Sequence, residues 1–289
     1  MPDQITVIGV TGTVGSRVAS KLAAKGVAVR GIARDPSQFS GNQNVDLVAA
    51  DFTNRQEAEK ALAGSQVVYL TLPEEGEDPL ALESAVGLNA IEAARKAGID
   101  HMLLHTALQS DRGDTGVAII DNKRPIEEAV MASEFGYTIL RPAWFLQNLF
   151  GAKEYLEQGM VSMPIPPEQR IGGISVEDIA NAAVAFFEKG PQNRGFDLYL
   201  PGGVSGPMIA EAAGQVLERP VQFYEFTDPI AEYVAGFPIS ERHKELYVEL
   251  FAYFRLQDYL GEAEEITSVL PDFQYTSVAQ FMRSELFAG

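Results

Sequence analysis

The chain has 289 residues, 46% hydrophobic and 21% charged, which suits one large α/β domain, alone or with a smaller lobe, and argues against wholesale disorder. With 40 acidic residues against 22 basic ones the net charge is -18, so a polyanion meets a repulsive average surface and nucleic-acid binding is not expected. The absence of cysteine removes disulfides, thiolate metal sites and a cysteine nucleophile together.

The first strand begins within four residues of the N-terminus, which leaves no room for a signal peptide. No apolar run approaches the roughly 20 residues a bilayer needs. The expectation is a soluble cytoplasmic protein without a membrane partner. The sequence leaves a homo-oligomer open.

The N-terminal stretch combines an apolar run from Ile5 to Ile8, three glycines at three-residue spacing (Gly9, Gly12, Gly15) and an amphipathic helix over 14–25 that stops at Gly26. Strand, turn and helix in this register form the layout that cradles a dinucleotide pyrophosphate. Gly9 permits the tight turn, Gly12 lets backbone N–H groups approach the anion, and Gly15 lets helix lie close to strand. Thr11, Thr13 and Val14 belong to the same cradle. A plain tight turn is the alternative.

A second strand over 27–33 ends at Arg34, 19 residues beyond Gly15, where such a unit meets the adenosine ribose. An arginine there suits the 2′-phosphate of NADP, so NADP(H) is favoured over NAD(H). Asp35 precedes Pro36 and reads as a turn-shaping residue, and the alternative for Arg34 is a solvated loop base. A third strand, 45–50, ends at Asp51, which either accepts from the adenine amino group or caps the helix over 54–63. A fourth strand over 66–72 brings Thr71, Leu72 and Pro73 to the cofactor edge. An acidic turn at 74–78 precedes a helix over 79–97 that opens on a proline and stops at Gly98.

The fifth strand, 101–107, carries His101 and His105. On a strand two residues four apart stand roughly 13 Å from each other, so they are no metal pair, and no metal site is expected. Thr106 closes this strand beside the nicotinamide position. A polar loop over 109–120 leads to Asp121 or Asn122 as cap of a helix bearing Lys123, Pro125, Glu127 and Glu128, with Gly136 at its end. A sixth strand follows at 137–140. The repeated strand and helix units imply a doubly wound parallel sheet in the order 3-2-1-4-5-6, a Rossmann core over 1–150.

Over 151–289 the pattern loosens into a small, mostly helical lobe. A helix runs to about residue 158, the proline-rich stretch 163–167 reads as a lid or rim loop, and 173–178 leads into a helix to residue 187. A strand over 196–200 is expected to return to the core sheet. The helices beyond 204 are rich in Phe and Tyr, read as lobe core ahead of a substrate box.

Four blocks carry a family resemblance: the glycine turn 9–15, the strand-end Arg34, Tyr137 to Arg141-Pro142 followed by Trp144, Phe145 and Asn148, and Ile174-Ser175-Val176-Glu177-Asp178-Ile179-Ala180. In this order the chain resembles the NmrA-like group of atypical short-chain dehydrogenases/reductases. The resemblance implies NAD(P)(H) binding, a Rossmann core and a C-terminal substrate lobe. The group includes quinone and enone reductases, isoflavone-reductase-like enzymes and cofactor-sensing regulators without turnover. The Tyr-x-x-x-Lys catalytic pair is absent, since none of the ten tyrosines has a lysine four residues on. Lys123 falls where isoflavone-reductase-like members carry a catalytic lysine, which makes it the candidate acid/base; a solvated lysine in a helix's first turn is the alternative.

The expected activity is NADP(H)-dependent reduction of a small carbonyl, quinone or activated alkene by hydride transfer. Thr71, Leu72, Pro73 and Thr106 would flank the nicotinamide, Lys123 would steady the ribose or protonate the product, and Trp144, Phe145 and Asn148 would contact the small-molecule substrate. The rival expectation is a redox sensor that binds NADP(H) without turnover.

Overall fold

The computed structural model describes residues 1–74, 76–261 and 264–288. Elements β1 (Gln4–Ile8), α1 (Thr13–Ala24), β2 (Ala28–Ala33), β3 (Val45–Ala49), α2 (Arg55–Leu62), β4 (Val67–Thr71), α3 (Pro79–Ala97) and β5 (His101–His105) follow the expected alternation. A single turn of helix, α4 (Ala118–Asp121), then precedes α5 (Arg124–Met131) and β6 (Gly136–Pro142). Later come β7 (Trp144–Phe145), α6 (Lys153–Glu157), β8 (Met160–Met163), β9 (Gly173–Ile174), α7 (Val176–Lys189) and β10 (Arg194–Leu198). The chain finishes with α8 (Gly206–Leu217), β11 (Gln222–Glu225), α9 (Ile230–Ala235), α10 (Glu241–Leu256), α11 (Glu264–Val269) and α12 (Val278–Phe281).

The chain divides into two compact units, one of residues 1–141 with 179–196, the other of 142–178 with 197–289. A single cut at residue 150 was expected. The difference arises because α7 and the start of β10 are built into the first unit.

In the first unit seven strands form one sheet in the order β10-β6-β5-β4-β1-β2-β3. This is the doubly wound 3-2-1-4-5-6 order with β10 added beside β6, so the returning strand lies two residues earlier than its sequence suggested. Its direction is parallel, since Asn193 donates to the Tyr137 carbonyl at one end and Ala143 to the Leu198 carbonyl at the other. The central strands are apolar on both faces, as sheets covered by helices require. Ile8, Ile32, Val68, Leu70, Met102, Leu104 and Ile139 share one core with residues of α2, α3 and α5. On the opposite face Tyr69 and His101 meet Phe187 of α7 edge-on, with ring centroids 6.4 and 5.9 Å apart.

The helix boundaries follow local chemistry. Asp78 accepts from the Ala81 N–H at 3.1 Å, Pro79 opens α3, and Gly98 closes it at φ 66°. Of the acidic turn expected at 74–78, Glu75 lies outside the described residues. Neither Asp121 nor Asn122 caps α5: Asp121 accepts from Thr115 and Gly116, Asn122 turns toward α3, and Lys123 itself occupies the cap position.

In the second unit β7 pairs with β9 and β8 with β11, both in parallel. Residues 146–152 form a 3-10 helix ahead of α6 in place of one continuous helix. The stretch 163–167 is no free lid, because Met163 belongs to β8 and Ile165 is completely buried. Asp178 holds the C-terminal segment by accepting from Thr276 N and Oγ1, each at 2.7 Å. Ser205, Ser240 and Ser277 cap α8, α10 and α12. Among the described residues no helix is long and apolar enough to cross a membrane.

Candidate functional site

At the carboxyl edge of the first unit's sheet, β1 gives way to the glycine turn. Gly9 adopts φ 80°, and a Cβ there would stand 2.6 Å from Thr71 Cγ2. A Cβ on Gly15 would stand 2.2 Å from the Gly9 carbonyl oxygen, so the helix approaches the strand as closely as a glycine allows. Gly12 differs. Its φ of -74° is ordinary, and the nearest atom to a Cβ, the Gly9 carbonyl oxygen, lies at 3.3 Å. Gly12 is the N-cap of α1, no side chain caps that end, and no acidic residue lies in the first turn. The opening N–H groups of the helix, from Thr13 to Gly15, are the donors such an end leaves without intrahelical partners. Gly12 and Thr13 are exposed and Thr11 half-buried, while Val14 anchors the helix in the core. A helix end of this kind can hold an anion.

The strand pairing gathers the other expected cofactor residues around it. Gly9 and Val10 both donate to the Ile32 carbonyl, which ties the turn to the end of β2 two residues from Arg34. Arg34 is exposed, and among the described residues its guanidinium has no hydrogen-bond or ion-pair partner. Asp35 is committed to the turn after it: its Oδ1 accepts from Ser37 Oγ at 2.6 Å and Ser37 N at 3.1 Å, and its Oδ2 from Gln38 at 3.1 Å. Those bonds hold its carboxyl below the ordinary aspartate range, the Ser37 hydroxyl contributing most.

Asp51 uses Oδ1 on Thr53 N and Oγ1, at 2.9 and 2.8 Å, so that oxygen shapes the entry to α2. Thr71, Leu72 and Pro73 are half-buried at the end of β4, and the β1–β4 register sets Ile8 against Leu70 and so Thr71 beside the glycine turn. Thr106 donates through Oγ1 to Glu127 Oε1 at 2.6 Å.

Glu127 is the centre of a buried network that sequence reasoning missed. Ser110 also donates to Oε1, at 2.5 Å, and Arg141 reaches both oxygens while its Nη1 lies 2.8 Å from Asp111. Gln109, buried in the same loop, holds a left-handed φ of 66°, uncommon outside glycine. The signal available in the sequence was the Arg141-Pro142 motif, which marks the strand end without naming its partners.

Lys123 is neither solvated nor isolated. It is 4% exposed, its Nζ lies 2.7 Å from Glu83 Oε1 on α3, and it donates to the Ile119 carbonyl at 3.0 Å. Nearby at the end of β5, His105 pairs through Nδ1 with the Tyr69 hydroxyl at 3.0 Å. Burial, and secondarily the Lys123 charge, pushes His105 down to about 3, so its imidazole is neutral. His101 meets Thr138 through Nε2 at 3.1 Å, and burial lowers it to about 4. The expected substrate residues all belong to the second unit. Trp144 and Phe145 are half-buried in β7, and Asn148 is exposed in the following 3-10 helix.

The chain is 27% identical over 256 residues to an NAD(P)H azoreductase of Xenophilus azovorans, covering 86% of each chain. Its fold matches the Citrobacter sp. triphenylmethane reductase complexed with NADP(H) at a TM-score of 0.83 and 18% identity, over 96% of this chain and 99% of that one. It also matches NmrA, a negative transcriptional regulator, in complexes with NADP and with NAD, at TM-scores of 0.76 and 0.77 and identities of 18% and 17%, over 98% of this chain and 95% of that one. At such identities the structural matches speak for the fold alone. The NmrA-like family model matches residues 1–282, and the chain is a member of the NmrA-like family.

Proposed function

We propose that this chain is an NADPH-dependent reductase of a small carbonyl, quinone or activated alkene. The observation that carries the reading is the pairing of an uncapped helix N-terminus at Gly12 with an Arg34 guanidinium that has no partner among the described residues, two anion-seeking features that suit an NADP phosphate set. The likeness to an azoreductase over most of both chains supports reductive chemistry.

When bound, NADPH supplies the hydride, and the chain's residues supply binding and electrostatics. In this reading the Thr13, Val14 and Gly15 amides hold the pyrophosphate, and Arg34 selects the 2′-phosphate. Gly9, Thr11, Thr71, Leu72 and Pro73 shape the cofactor edge. Lys123, buried and charge-paired, is the group that steadies the ribose or protonates the product. Trp144, Phe145 and Asn148 contact the substrate. Asp51 uses Oδ1 within the protein and offers Oδ2 to the adenine amino group, whereas the Thr106 hydroxyl is engaged by Glu127.

The test is anaerobic NADPH oxidation against a panel of quinones, enones, ketones and azo dyes. Turnover with one class and not the others names the substrate, and NADPH binding with no turnover favours the second reading. That reading, a cofactor-binding regulator, draws on the fold shared with NmrA and on the missing Tyr-x-x-x-Lys pair.

A further inference from the structure

The ion pair between Lys123 and Glu83 is buried on both sides, with side-chain exposures of 5% and 3%. Burying two charges costs desolvation that their attraction seldom more than repays, and an apolar pair of similar size is often as stable or more so. The same helix pair shows the apolar solution four residues along: Gly87 of α3 receives Ile126 of α5, whose Cδ1 would stand 2.8 Å from a Cβ at that glycine. Packing α5 on α3 therefore does not require charges at Glu83 and Lys123.

The pair is also fixed in orientation. Glu83 Oε2 accepts from Asn122 Nδ2 at 2.7 Å. Asn122 is itself held by the Leu80 carbonyl at 3.1 Å and by the Ser84 hydroxyl, which donates to its Oδ1 at 3.0 Å. The carboxylate thus cannot swing away from the lysine without breaking a chain of four residues. An ammonium carries three N–H donors. The Ile119 carbonyl accepts one, the Glu83 carboxylate stands in ion-pair contact with the ammonium, and among the described residues no further acceptor meets it.

We propose that Glu83 is a positioning residue for Lys123, keeping its ammonium charged and oriented in a buried site so that its remaining hydrogen-bonding capacity is available to bound nucleotide or substrate. The role of Lys123 in turnover rests on the reductase reading; the coupling of its charge to Glu83 does not. The charged or titratable groups around the lysine agree with this assignment. Glu83 on α3 is the anion in contact, His105 at the end of β5 is neutral, and on the helix side Asp121, Glu127 and Arg124 are committed to Thr115, Arg141 and Glu128.

Glu83→Gln keeps shape and one acceptor but removes the charge. A buried lysine without its counter-ion loses its proton at lower pH. In the cofactor-free protein, the Lys123 13Cε resonance, assigned by its loss in Lys123→Met, should titrate roughly one pH unit or more lower in Glu83→Gln than in wild type. An unmoved titration overturns the proposal whether or not the protein is an enzyme.

With the acceptor found active in the panel, Glu83→Gln should lower kcat roughly tenfold or more and shift the alkaline limb of its pH profile downward, with the KM for NADPH within about twofold. Glu83→Asp should recover part of the rate. Turnover and pH profile like wild type in a variant whose lysine titration has moved would make the pair structural and overturn the proposed role. Should Glu83→Gln fail to fold, Glu83→Asp, which keeps the charge and shortens its reach, decides: a lowered kcat with the KM for NADPH unchanged supports the proposal and wild-type turnover overturns it. A wild type that reduces no acceptor refutes the reductase reading and leaves the lysine titration to judge Glu83.

Discussion

Arg141 grips Glu127 through both carboxylate oxygens, Nε at 3.0 Å from Oε1 and Nη2 at 2.8 Å from Oε2, with both side chains buried. The contact locks the end of β6 to α5, and the other partners of Glu127, Thr106 and Ser110, bring in the end of β5 and its loop. Gly195 completes the fit, because a Cβ there would lie 2.5 Å from the guanidinium carbon. Removing one partner leaves a buried charge unpaired, so Arg141→Met should cost about 3–5 kcal/mol in urea unfolding. Gly195→Ala, which crowds a guanidinium that Glu127 and Asp111 hold in place, should cost roughly 1–3 kcal/mol. Wild-type stability in both would mean that the network can rearrange freely.

The three glycines of the first turn should separate into two behaviours. Gly15→Ala must push against the Gly9 carbonyl and should destabilise the fold, read as a lowered Tm. Gly12 has room and an ordinary φ, so Gly12→Asp should fold yet lose NADPH affinity, its carboxylate standing at the mouth of the cradle. Calorimetric titration with circular dichroism checks both. Unchanged affinity in a folded Gly12→Asp would remove the pyrophosphate from this site.

Arg34 should set cofactor choice. A charge-assisted contact to a 2′-phosphate is worth about 1.5–3 kcal/mol, so Arg34→Ala should weaken NADPH roughly ten- to hundredfold and NADH far less. Equal weakening of both, or a wild type that prefers NADH, would contradict the assignment.

The two strand histidines predict a pH dependence of stability. Both are neutral in the folded chain, with pKa values lowered by burial to about 4 and about 3 from an ordinary 6.5. In the window below the unfolded value the unfolded chain binds more protons than the folded one, so stability is complete above about pH 6.5 and falls as the pH drops toward the folded values. Each histidine contributes a slope of roughly 1.4 kcal/mol per pH unit within that window. Urea melts between pH 7 and pH 5 should show the fall, and His101→Asn should flatten part of it. A slope unchanged by that substitution would assign the effect to carboxylates.

The sequence carried the sheet order because the central strands are short, mostly apolar runs and the helices between them are punctuated by local signals, as at Pro79 and Gly98. It carried the glycine turn because the spacing itself encodes backbone geometry. Asp35 was readable as a turn-shaping residue because it precedes a proline, and its Ser37 and Gln38 contacts lie within that turn. Thr106, Glu127 and Arg141 were not legible as a group, because they converge from two strands and a helix and no periodicity links them. Lys123 was legible as a candidate yet not as an ion pair: Glu83 lies 40 positions earlier, in a helix whose other acid, Glu92, pairs with Arg95 at the surface. The second unit was read least well, because two-residue strands such as β7 and β9 are too short to leave an alternation.

The central claim is that this chain transfers hydride from NADPH to a small acceptor, and an isotope effect tests it most directly. Single-turnover oxidation of NADPH deuterated at C4, in each stereochemical form, should be followed anaerobically with the best acceptor of the panel. The account predicts that one of the two forms slows the reaction, and that NADPH loss matches acceptor reduction mole for mole. Tight NADPH binding with no oxidation by any acceptor, or oxidation insensitive to deuterium at either position of C4, would contradict it.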